Sequence, residues 1–65
     1  MNNKDFRKKL ETLDLPNLHA SESLGVSERT IYKYLSGKQA IPLTIEKLVN
    51  ALLVINDIRK LLSKF

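Results

Sequence analysis

The segment Leu24 to Lys38, LGVSERTIYKYLSGK, constrains this chain more than any other, because it sets a short helix between the chain's two glycines. Gly25 falls where a chain leaving one helix takes a left-handed backbone conformation, which glycine adopts without steric cost. Two residues on, Ser27 offers a side-chain oxygen to the first free amides of the next helix. Gly37 suits a second left-handed cap, so a helix is predicted over Glu28 to Leu35, closed by Ser36-Gly37. Thr30 and Ile31 begin its crowded, buried face.

The two prolines mark starts as the glycines mark ends. Pro16 and Pro42 each fit a first helical position, where a missing amide proton costs nothing. The helix opened by Leu15-Pro16-Asn17 runs to about Leu24, with Leu18, Ser21 and Leu24 inward. Upstream, Asn2 or Asn3 caps a first helix reaching about Leu13, with Asp5 in its first turn. Phe6, Leu10 and Leu13 form its buried stripe, and Lys4, Arg7, Lys8 and Lys9 occupy its other faces. After Pro42 no glycine or proline interrupts the chain. Ile45, Leu48, Val49, Leu52, Ile55, Ile58, Leu62 and Phe65 recur at three- and four-residue steps. That pattern fits one long helix and equally two helices bent near Asn56-Asp57. No strand signal is present, and the expected fold is all-α, a compact domain of four to five helices.

At 65 residues the chain makes one domain. A chain of this size buries only roughly 60% of the surface its unfolded form exposes. The absence of cysteine excludes a disulfide framework or a zinc–thiolate staple. The carboxyl-terminal apolar stripe is more than so small a body can cover. Homodimerisation through Leu53, Ile55, Ile58, Leu61, Leu62 and Phe65 is therefore expected, with residues 54–65 as the dimerisation segment.

Eleven Lys and Arg against seven Asp and Glu leave a net charge of +4. This favours polyanionic partners, although it also serves ordinary solubility. The amino end lacks the apolar run of a signal peptide, and Ala51 to Ile55, the longest apolar run, is too short to span a bilayer. A cytoplasmic location is expected. With one histidine, no cysteine and no phosphate-binding glycine loop, no catalysis, cofactor, metal or small-molecule ligand is expected. His19 has no second histidine or cysteine with which to share a metal.

Helix, glycine turn and second helix is the arrangement that lets a chain lay a helix in the DNA major groove. With Ile31 and Tyr34 inward, helical periodicity turns Glu28, Arg29, Tyr32, Lys33 and Ser36 outward. An arginine near the start of such a helix matches guanine O6 and N7 with two parallel hydrogen bonds, which makes Arg29 the main expected base reader, followed by Lys33. Glu28 suits cytosine N4, or serves only as a first-turn stabiliser. Tyr32 suits a thymine methyl or a phosphate. An exposed helix of any function also carries such residues.

The pattern Leu24-Gly25-Val26-Ser27, Thr30-Ile31, Ser36-Gly37-Lys38, Ile41-Pro42, Glu46-Lys47-Leu48 and Ala51-Leu52 resembles the helix-turn-helix regulators of the Cro and CI phage-repressor family, also called xenobiotic-response-element-like. The resemblance covers Leu18 to about Leu53. It implies a lambda-repressor-like architecture with helices 2 and 3 as the helix-turn-helix. It also implies a repressor of bacterial or phage origin that binds double-stranded DNA at a palindromic operator as a dimer. Asn17 takes the family's place for a backbone clamp, and Ser27, Thr30, Ser36 and Lys38 are the further expected phosphate contacts. Ser21 departs from the family's alanine, and Leu53-Val54 stands where its fourth helix commonly ends at a glycine. Because the chain opens at methionine and has its own closing helix, a self-contained regulator is expected rather than a recombinase module. The alternative from another class is a protein-interaction module of this fold, of antitoxin or anti-repressor type, docking through the carboxyl-terminal stripe.

Overall fold

The computed structural model describes residues 1–64, which form four helices and no strand: α1 (Asn3–Thr12), α2 (Asn17–Leu24), α3 (Glu28–Ser36) and α4 (Leu43–Leu62). Asn2 caps α1, its side-chain oxygen accepting from the Asp5 amide at 2.8 Å. Asp5 adds negative charge beside the positive end of the helix dipole. The far end closes without glycine: Asp14 takes the left-handed conformation at φ 54°. The Asp14 amide donates to Glu11 O and the Leu15 amide to Leu10 O, so the chain turns back before Pro16.

Both prolines sit one residue earlier than the sequence suggests. Pro16 and Pro42 are extended cap residues, and α2 and α4 begin at Asn17 and Leu43. Gly25 ends α2 at φ 70° and Gly37 ends α3 at φ 77°, as expected of left-handed caps. An added Cβ on Gly25 meets nothing within 4 Å. Gly25→Ala is therefore expected to cost only the left-handed backbone penalty, about 1–2 kcal/mol, with Gly25→Asn costing less. Urea unfolding of the two variants measures the difference.

Each helix gives two side chains to the core: Phe6 and Leu10, Ala20 and Leu24, Ile31 and Tyr34, Ile45 and Val49. The Phe6 and Tyr34 rings lie 5.7 Å apart at a 40° tilt, joining α1 to α3. Leu13 is only half-buried, and Leu18, expected inward, is 52% exposed. Ala20, Ser21 and Leu24 set the inner face of α2, and helical rotation carries Leu18 well off it. Ser21 is buried, and its hydroxyl donates to Leu18 O at 2.6 Å. A small, internally satisfied side chain thus takes the place where alanine is usual, and α2 packs closely on α3.

The four-to-five-helix expectation resolves to four. α4 runs through Asn56-Asp57 as one helix of 20 residues, with no glycine or proline to bend it. Asn56 caps nothing; its side chain is half-buried, and Nδ2 lies buried without a hydrogen-bond partner. A helix of this length spans about 30 Å, longer than α1 to α3 can cover. The molecule is correspondingly elongated, 42 × 20 × 17 Å.

Candidate nucleic-acid interface

The outer face of α3 begins with its cap. Ser27 Oγ accepts from the Thr30 amide at 3.2 Å and lies 2.9 Å from Thr30 Oγ1. Ser27 therefore holds the start of α3, and Thr30 is half-buried beside it. Ser27→Ala is expected to cost about 1 kcal/mol of stability, within a range of about 0.5–2, by freeing the first-turn amide. Thermal unfolding without any ligand checks this.

Glu28, Arg29, Tyr32, Lys33 and Ser36 are all exposed, opposite the buried Ile31 and Tyr34. At about 100° per residue they share an arc of about 140°, one side of a single short helix. Tyr34 is in the core and Tyr32 is 58% exposed. Among the described residues the one ion pair joins the Met1 ammonium to Glu46 at 3.5 Å. Arg29, Lys33 and Lys38 are thus exposed and take part in no ion pair among the described residues. Glu28, at the amino end of α3, also favours that end's dipole.

The turn after α3 is tied back to the helix it ends. The Lys38 and Gln39 amides both donate to Lys33 O, at 3.0 and 3.3 Å, and Ser36 Oγ donates to the same carbonyl at 3.2 Å. The amides of Lys38 and Gln39 are thus both occupied, while Lys38 itself is exposed. Asn17 opens α2 half-buried and lines an open groove of about 770 Å³ with Tyr32 and Ser36. Three of the sequence-predicted contact residues, from two helices, thus meet at one concavity.

Arg7 lines the same groove and carries a role that periodicity does not reveal. Its guanidinium donates to Leu35 O at 3.4 Å, and Asn3 Nδ2 donates to the same carbonyl at 3.2 Å. Two side chains of α1 thus satisfy a carbonyl at the carboxyl end of α3 and fix how α3 sits on the body. No sequence signal pairs residues so far apart.

The residues expected at a dimer face divide. Leu53 is half-buried against the molecule's own core, whereas Ile55, Ile58, Leu61 and Leu62 are 49–66% exposed. Phe65 lies outside the described residues. His19 is exposed, and no group of three metal-ligating side chains occurs among the described residues. No helix among them is long and apolar enough to cross a membrane. No family model matches the chain, and no curated protein or solved structure is significantly similar to it.

Proposed function

We propose that this chain is a sequence-specific double-stranded DNA-binding regulator, a repressor of bacterial or phage origin acting in the cytoplasm. In this reading α2 and α3 are a helix-turn-helix of lambda-repressor-like architecture, and α3 enters the major groove. The observation that carries the proposal is the outer face of α3. Arg29 and Lys33 stand there exposed, in no ion pair among the described residues, on a helix capped by Ser27 and anchored from behind by Ile31 and Tyr34. Arg29 then reads guanine, with Lys33, Tyr32 and Glu28 beside it. Asn17, in the groove beside Tyr32 and Ser36, and Lys38, just past the carboxyl end of α3, set its position on the phosphates together with Ser27, Thr30 and Ser36. As a dimer the protein binds a palindromic operator through recognition helices about 34 Å apart, and repression follows from occupying a promoter.

Amide resonances followed during titration with a short DNA duplex test the interface without knowledge of the operator. The expected perturbations fall on Asn17 and on Ser27 to Lys38. Perturbation elsewhere, or none, contradicts the assignment. The second reading, a protein-docking module of antitoxin or anti-repressor type, is favoured by one observation, the exposed apolar face of α4. Stable co-purification with a second chain that leaves α3 unable to bind DNA would support it.

A further inference from the structure

The apolar residues of α4 form two stripes, not one. Ile45, Val49, Leu52 and Leu53 face the body, where they are buried or half-buried. On that side the next positions are Asn56, Lys60 and Ser63, so the inward stripe ends where the body ends. The opposite side continues apolar. Leu48, Ala51, Ile55, Ile58 and Leu62 recur at alternating steps of three and four residues, and every one is exposed. That spacing is the heptad seam of paired helices, here on the outside of the molecule. Val54 and Leu61, seven residues apart and both 58% exposed, widen it along one edge.

We infer that this seam pairs with the same seam of a second copy, and that the two α4 helices run antiparallel. The seam is self-complementary in that direction. One register sets Ile55 against the partner's Ile58 and Leu62 against the partner's Ala51, each contact occurring twice and the large side chain meeting the small one. The edge residues decide the orientation. In an antiparallel pair like edges meet, so Val54 and Leu61 face the partner's Leu61 and Val54. In a parallel pair unlike edges meet, which would place Val54 opposite the partner's Arg59. Parallel alignment would also gather Arg59, Lys60 and Lys64 of both copies at one end. Antiparallel alignment separates them and opposes the helix dipoles. Pairing also covers the turns of α4 that extend past the protein's own core.

This assignment deepens the dimeric part of the DNA-binding reading, but it rests on α4 alone and is tested without DNA. Ala51→Cys and Leu62→Cys are prepared as separate proteins and oxidised singly and as a mixture. Both positions are exposed, and circular dichroism confirms that each variant folds. The expected result is covalent dimer forming chiefly in the mixture, as the disulfide between Cys at 51 of one copy and Cys at 62 of the other. Sedimentation of the unmodified protein is expected to show a dimer, and of Ile58→Asp a folded monomer. Dimer cross-linked equally well by Ala51→Cys alone would establish parallel pairing and overturn the inference. An unmodified protein that sediments only as a monomer would overturn the second copy as the partner. Neither outcome touches the role of α3, because a monomer with an intact α3 still binds DNA.

Discussion

Phe6→Ala is expected to leave the protein largely unfolded at room temperature. Phe6 is fully buried, and its ring contact with Tyr34 joins α1 to α3. Removing a buried phenyl ring costs about 3–5 kcal/mol through lost transfer energy and the cavity left behind. A domain of this length commands roughly 3–10 kcal/mol in total, so the loss is of the order of the whole. The position also matters. Asn3 and Arg7, on the same helix as Phe6, hold the Leu35 carbonyl, so losing α1 would release the end of α3 as well. Far-ultraviolet circular dichroism with urea titration measures the effect. Phe6→Leu, which keeps most of the volume, is expected to remain folded with a smaller loss. A Phe6→Ala variant as stable as its parent would mean that α1 is not integral to the core.

Arg29→Ala is expected to act in the opposite way, leaving stability unchanged and removing recognition. Arg29 is exposed, and its side chain makes no hydrogen bond or ion pair among the described residues. At the selected DNA sequence the loss is expected to be about 1–3 kcal/mol, or about 5- to 150-fold in Kd, with one base position relaxed. Binding to random DNA is expected to change far less, by the loss of a single cation. Lys38→Ala supplies the contrast, weakening selected and random duplexes alike and reducing the salt dependence by about one ion. If Arg29→Ala weakened both DNAs equally, Arg29 would be a phosphate contact, and base reading would pass to Lys33 and Tyr32.

Local rules carried most of the architecture. Gly25, Gly37 and Ser27 stand at the ends of helices as their backbone chemistry requires, and Ile31 and Tyr34 face inward while Arg29 and Lys33 face out. Four features are not legible, each for a physical reason. Asp14 closes α1 in the left-handed conformation that favours glycine, so no glycine marks that turn in the sequence. The ties from Asn3 and Arg7 to Leu35 depend on tertiary approach, which periodicity does not encode. The two stripes of α4 interleave in sequence, and Leu48 and Val49 read as one face until the extent of the body is known. Leu48 is exposed and Val49 fully buried, on different sides of one helix. The outward placement of Leu18 is illegible for a similar reason: a helix as short as α2 has too few apolar positions to reveal which arc is inward.

The central claim is that the outer face of α3 reads DNA sequence. Selection of bound duplexes from a random library at physiological salt, then titration of the winner against random DNA, tests it most directly. The account predicts a palindromic consensus bound at least ~10³-fold more tightly than random sequence, with a preference that survives rising salt better than the binding itself. Weak binding that disappears as salt rises, with no consensus among the recovered duplexes, would reduce the interaction to charge attraction and contradict the claim.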